Sequence, residues 1–344
     1  RVDTGEVDEA LRLHTERLAV FERLGEAREQ AVTLGDIARI RVSKGEVDEA
    51  LRLHTERLGI VERLGDAREW AFALGDIARI RAYGGEVDEA LRHQLDVLEV
   101  FERLGDLRSR AVTLGHIARV RAMKGEFDKA LRLHEEELAV YERLGDARSR
   151  AVTLGDIARI LALNGEVDEA LRLHTERLAV FERLGDACER AVTLGDIAHI
   201  RASKGEVDEA LRLHTERLAV FERLGDADGL ANSLWDLAQI DLARGDLVAA
   251  KGRLDRAFPL LRRIGPVGAI AVVGSVYGQV LAATGEGAGA REVLGLALEA
   301  WRRLGRAGEA EQVAAMLKAL EATGSGPGSD GPEEPGLRRR RRSD

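Results

Sequence analysis

The sequence predicts an all-α protein, a solenoid of about eight antiparallel helix pairs, and three observations carry that prediction. The octet Gly-Glu-Val-Asp-Glu-Ala-Leu-Arg at residues 5–12 returns, among other places, at 45–52, 165–172 and 205–212. A glycine–acid pair recurs at a 40-residue step, at Gly5, Gly45, Gly85, Gly125, Gly165, Gly205, Gly245 and Gly285. A second marker, usually Leu-Gly-Asp, keeps the same step from Leu24-Gly25 to Leu304-Gly305. Each unit can bury its apolar face only against its neighbours, so units in one register stack instead of sharing a single core.

The unit from Gly45 to Gly84 justifies the helices in turn. Gly45 supplies a positive φ that ends the preceding helix, and Asp48 and Glu49 place negative charge at the start of the next. Val47, Leu51, His54, Leu58 and Val61 then recur at steps of 4, 3, 4 and 3, one stripe of an α-helix. Leu64-Gly65 closes this helix. Asp66, three residues before Glu69, matches a capping box that opens a second one. That helix carries Ala67, Ala71, Leu74 and Ala78 on one stripe, with Ile77 and Ile80 beside it, and its small alanines permit close packing.

From Asp226 the units diverge while keeping register, as terminal units that shield the end of a stack do. Pro259 is expected to kink or shorten its helix, and Arg306–Ala322 reads as a final solvating helix. The array is therefore expected over residues 1–322, with units starting near 5, 45, 85, 125, 165, 205, 245 and 285. Residues 323–344, rich in Gly, Ser and Pro and ending in the run Arg338–Arg342, read as a disordered tail. At the other end, Arg1-Val2-Asp3-Thr4 occupies the slot of a last helical turn whose earlier turns are missing, so a longer N-terminal protein is expected.

Composition narrows the function classes. A net charge of −9 disfavours a general nucleic-acid or anionic-membrane surface, leaving Arg338–Arg342 as the one place for such contact. No run of 18 apolar residues offers a membrane span. Cys188 is the only cysteine, so no intrachain disulfide can form and a reducing cytoplasm is the natural compartment. No phosphate-binding Gly-x-x-x-x-Gly-Lys, nucleophile-elbow Gly-x-Ser-x-Gly or zinc-protease His-Glu-x-x-His occurs, so neither an enzyme nor a cofactor is expected.

The glycine turn at Gly45, Leu34, Ile37 and Ala38 before it, and Ala50 after it resemble a tetratricopeptide repeat. The 40-residue period is similar to the longer variant found in Leu-Gly-Asn-repeat adaptors and in the repeat regions of bacterial regulatory ATPases. The resemblance covers about residues 1–322. It implies a right-handed superhelix whose concave face, lined by the first helix of each pair, binds a protein or peptide. A second implied role is the sensor or oligomerisation arm of a larger signalling protein. Two departures stand out: the family's second small residue is Arg57 here, and an aromatic slot is His54. The paired asparagines of the longer variant are absent from Gly35-Asp36-Ile37-Ala38-Arg39, so their peptide recognition does not carry over.

On that first helix the positions opposite the apolar stripe give the candidate site. Asp36, Asp76, Asp156, Asp196 and Asp236 form an acidic rail, and Arg39, Arg79, Arg119 and Arg159 a basic one. These rails read either as a charged groove or as a ladder of solvated ion pairs. His116 replaces an aspartate and His199 an arginine, Tyr83 and Met123 vary a slot that is Ser43 elsewhere, and Trp235 replaces a glycine as a groove plug or anchor. Glycine inside a helix costs about 1 kcal/mol, so its recurrence at 35, 75, 115, 155 and 195 implies close approach by a helix or a ligand. His14, His54, His134, His174 and His214 share one slot, where parallel side chains from stacked units read as packing and not as metal ligands. Association of stacks end to end is a further possibility the uniform array allows.

Overall fold

The computed structural model describes residues 4–264 and 267–324. Sixteen α-helices and no strand occur among these described residues. The chain divides into two units, residues 1–240 and 241–344. The first contains α1 (Thr4–Leu24), α2 (Ala27–Ser43), α3 (Val47–Arg63), α4 (Ala67–Tyr83), α5 (Val87–Leu104), α6 (Leu107–Met123), α7 (Phe127–Leu144), α8 (Ala147–Leu163), α9 (Val167–Leu184), α10 (Ala187–Ser203), α11 (Val207–Leu224) and most of α12 (Ala227–Ala243). The second contains α13 (Leu247–Ile264), α14 (Val267–Ala283), α15 (Gly287–Arg303) and α16 (Ala307–Gly324). The expected tail lies outside the described residues beyond the end of α16.

The turns form as their residues dictate. At Gly45 φ is +76°, the Glu46 N–H reaches the Arg41 carbonyl at 2.9 Å and the Gly45 N–H reaches Val42, also at 2.9 Å. This is a Schellman turn, whose left-handed residue costs a glycine least. Asp66 caps α4, its carboxylate accepting from the Glu69 N–H at 3.1 Å. Only half of the expected capping box forms, because the Glu69 carboxylate turns away to Arg57 at 2.9 Å. Gly5 differs from Gly45: it lies inside α1 and does not end a helix.

Helices pack most closely across the glycine turns, α2 on α3, α4 on α5 and so on, so the tight pair is the one the family resemblance aligns. Ala31, Leu34, Ile37 and Ala38 meet Leu53, Ile60 and Val61 in one such core. Along α3 the buried face is Ala50, Leu53, His54, Arg57, Ile60 and Val61, one position off the predicted stripe, and Val47 remains exposed. That rotation brings Arg57 inside. Even-numbered helices form the inner layer of the first unit: α4 approaches α6 and α6 approaches α8, closer than odd-numbered helices approach one another.

In the second unit α13 continues through Pro259, whose ring faces solvent, while Phe258 and Leu261 bury on the other side. The helix is therefore not shortened. Trp301 anchors α15 to α14 by donating to the Ser275 hydroxyl at 3.0 Å. Leu294, Ala297 and Val313 join α15 to α16.

Candidate functional site

A buried polar lattice repeats through the first unit and explains the interior glycines. A Cβ at Gly35 would lie 3.2 Å from Arg57 Nη1, and at Gly155 2.8 Å from Arg177 Nη1. Gly35, Gly155 and Gly195 thus each make room for an arginine on the helix paired with theirs. That arginine crosses to the next inner helix. Arg57 donates to Asp76 at 3.1 Å, and Arg177 donates to Asp196 at 2.7 Å and Glu189 at 3.0 Å. Behind each aspartate sits a buried histidine, His54 or His174, whose Nδ1 stands 3.9 Å from the carboxylate. Burial pushes both histidines down to about 4, so both are neutral at pH 7. The arginine that broke the repeat pattern is therefore structural, and the family's small residue has moved to the facing slot.

The lattice breaks in the middle of the unit. Gln94 replaces the histidine, Val97 the arginine and His116 the aspartate, and in the next pair Glu137 replaces the arginine again. Nothing lies within 4 Å of a Cβ at Gly75, because Val97 cannot reach across as an arginine would. A cavity of about 400 Å³ opens at this break. Its mouth carries Tyr83, Met123 and Leu163, the last residues of α4, α6 and α8, which are 85%, 55% and 73% exposed. Arg79, Arg119 and Arg159 also line it, with Ala78, Ala82, Val120, Ala122 and Ile160 supplying the apolar lining.

The floor is polar and incompletely satisfied. Gln94 is 2% exposed and donates to the Gly75 carbonyl at 3.4 Å, while its Oε1 has no partner. His134 is fully buried, and its Nδ1 lies 2.8 Å from the Glu137 carboxylate. The carboxylate accepts from Nδ1, and Nε2 lacks a partner. Burial, then the Arg119 and Arg79 guanidiniums, push His116 down to about 4. The cavity thus combines buried polar atoms without partners, an apolar lining and three arginines.

Of the residues singled out from the sequence, Arg79, Tyr83, His116, Arg119, Met123, Asp156 and Arg159 come together here. Asp36, Arg39, Asp76, Asp196, His199 and Trp235 do not line the cavity. The basic and acidic rails largely pair with each other: Arg79 meets Asp76 at 2.7 Å, and Arg39–Asp36 and Arg159–Asp156 repeat the contact. Arg119 lacks that partner because His116 stands three residues before it, so it turns to Asp156 at 3.9 Å and the Gly115 carbonyl at 3.3 Å. Trp235 is half-buried on α12. Gln94 is missed by the sequence and His134 reads there only as a packing histidine, because both belong to the outer helix of each pair. The interrupted columns, Gln94 among histidines and Val97 and Glu137 among arginines, were the signal available for them.

No helix among the described residues is long and apolar enough to cross a membrane. A tetratricopeptide repeat model matches residues 70–143, 109–183 and 189–263, and a second tetratricopeptide repeat model matches 33–68. No curated protein matches the sequence. Among solved structures, a signal transduction ATPase with numerous domains from Pyrococcus horikoshii, with a tetratricopeptide repeat sensor, is 16% identical at a TM-score of 0.58, over 92% of this chain and 48% of that one. The apo quorum sensor NprR from B. thuringiensis is 13% identical at a TM-score of 0.52, over 92% and 99%. A Rap protein complexed with Competence and Sporulation Factor is 15% identical at a TM-score of 0.52, over 93% and 98%. At these identities the likeness is one of fold.

Proposed function

Because the chain belongs to the tetratricopeptide repeat family, whose model matches more than half its length, we propose that it is a protein-binding scaffold that holds a peptide segment of its partner against the inner helices. The observation that carries this reading is the cavity at the break in the lattice, with three exposed apolar side chains at its mouth and two buried polar atoms without partners on its floor. A buried polar group left unpaired costs about 1–3 kcal/mol, and a ligand that hydrogen-bonds to Gln94 and His134 recovers part of that. An apolar side chain of the segment fills the interior, and carboxylates beside it meet Arg79, Arg119 and Arg159. The Rap protein complexed with Competence and Sporulation Factor supports this use of the fold. The role is non-catalytic, and the compartment is a reducing cytoplasm, in keeping with the single free Cys188.

Peptide arrays probed with the wild type and with the triple variant Arg79→Glu, Arg119→Glu, Arg159→Glu test this reading. Peptides joining an apolar residue to acidic neighbours should bind the wild type and lose binding to the folded variant. Unchanged capture by that variant would sink the assignment. A second reading, the sensor arm of a larger signalling protein, is supported by the likeness to the ATPase with a repeat sensor. A nucleotide-binding domain encoded upstream in the same reading frame would favour it.

A further inference from the structure

Away from the cavity, one position of the lattice departs in a different way. The slot of Arg39 and Arg159 holds His199 on α10. By the 40-residue register the corresponding residues of the regular pairs are Arg39, His54 and Asp76, and Arg159, His174 and Asp196. The corresponding set at α10, α11 and α12 is His199, His214 and Asp236, so a single change from guanidinium to imidazole turns it into three possible metal donors. His199 Nε2 lies 3.3 Å from Asp236 Oδ1, and His214 Nδ1 lies 3.8 Å from Asp236 Oδ2. One donor atom from each residue falls within 4.8 Å of the others. The two imidazoles meet edge to face with centroids 5.0 Å apart.

We infer that His199, His214 and Asp236 form a binding site for a divalent transition metal such as Zn²⁺. The donor set is two imidazole nitrogens and one carboxylate oxygen, which suits zinc, cobalt, nickel or copper; calcium and magnesium favour sites built from oxygen. Metal–donor bonds of about 2.0–2.2 Å place donors roughly 3.4 Å apart in a tetrahedron, so small side-chain rotations bring the observed atoms onto one ion. His214 is 1% exposed and its Nδ1 has no hydrogen-bond partner. His54 and His174 share this unpartnered nitrogen beside an aspartate, but only at His214 does a third donor, His199, stand next to it. Arg217 Nη1 holds Asp236 Oδ2 at 2.6 Å, which fixes the carboxylate while Oδ1 faces His199. His199 remains exposed, so an ion has a path from solvent. Three protein donors leave a fourth position for water or for a donor from a bound partner. The columnar histidines alone do not converge; the histidine outside their column completes the set.

The test is titration of the tag-free full chain with Zn²⁺ against a chromophoric chelator, and with Co²⁺ followed by visible absorption. The wild type should bind one equivalent and give Co²⁺ bands of a low-coordinate site. His199→Arg restores the residue of the other repeats and keeps the fold, so it should lose at least about 100-fold in affinity, beyond the cost of removing an outer partner of a ligand. Asp236→Asn should also weaken binding. Zn²⁺ should raise the melting temperature of the wild type and leave that of His199→Arg unchanged. Equal Zn²⁺ affinity in wild type and His199→Arg, or no stoichiometric binding by the wild type, overturns the assignment.

Discussion

Two glycines in the same repeat slot should respond in opposite directions to one methyl group. Gly75→Ala adds a Cβ that meets nothing within 4 Å, so only the backbone effect remains. Alanine in a helix interior is favoured over glycine by about 1 kcal/mol, and the variant should be stabilised by that amount. Gly155→Ala gains the same backbone term, but its Cβ would lie 2.8 Å from Arg177 Nη1, 3.0 Å from Cζ and 3.1 Å from Cδ. The whole end of that side chain has to move. It has little room to do so, being 5% exposed, bonded to Asp196 at 2.7 Å and Glu189 at 3.0 Å, and stacked over Phe181 at 5.4 Å.

A hydrogen bond to a charged group contributes about 1.5–3 kcal/mol, and displacing the guanidinium loses at least one. The expected net change for Gly155→Ala is a destabilisation of about 1–2 kcal/mol, which puts the two variants about 2–3 kcal/mol apart. Urea unfolding followed by far-ultraviolet circular dichroism measures the difference. Equal stabilisation of both variants would refute the argument that these glycines exist to seat the lattice arginines. A loss of stability in Gly75→Ala would equally refute it.

The remaining predictions concern pH and a proline. His54, His174 and His214 are held near 4 by burial, against 6.5 when unfolded, so the unfolded chain takes up more protons between those values. Their contribution is complete above pH 6.5 and is lost as pH falls toward about 4, at up to about 1.4 kcal/mol per pH unit for each histidine. Urea midpoints at pH 7, 6 and 5 should fall steadily, and equal midpoints at pH 7 and 5 would contradict the assignment of neutral buried imidazoles. Pro259→Ala restores a backbone donor within α13 at an exposed position and should stabilise the chain by about 1–3 kcal/mol. A thermal melt that shows no gain would mean that Pro259 is better accommodated than its place in the helix implies.

Much of the fold was legible because it rests on local rules repeated many times. Gly45 had to end a helix, Asp66 had to start one, and Ala50 had to be small, and each does so in the structure. The buried face of α3 lies one position from the stripe its apolar residues mark because it includes Arg57, which no apolar pattern contains. A guanidinium can be buried when two carboxylates meet it, and those partners lie 12 and 19 residues away, beyond any local pattern. The cavity was half legible for the same reason. Variation at Tyr83, Met123 and His116 was visible on one helix, whereas Gln94 and His134 acquire their meaning only when the neighbouring pair is set against them.

The segments 165–187 and 205–227 are identical, and the lattice gives that identity a physical consequence. Each pair recognises the next through a glycine, an arginine and an aspartate, so the departing and arriving surfaces in this stretch are interchangeable. A chain shortened or lengthened there by a whole 40-residue step would rejoin like to like, with every junction still matched. The pairs around Val97 and Glu137 have no such equivalents and cannot be exchanged without mismatched partners. The array thus behaves as a ruler with one fixed mark: its regular units set spacing, while the cavity stays with the pairs that broke the pattern.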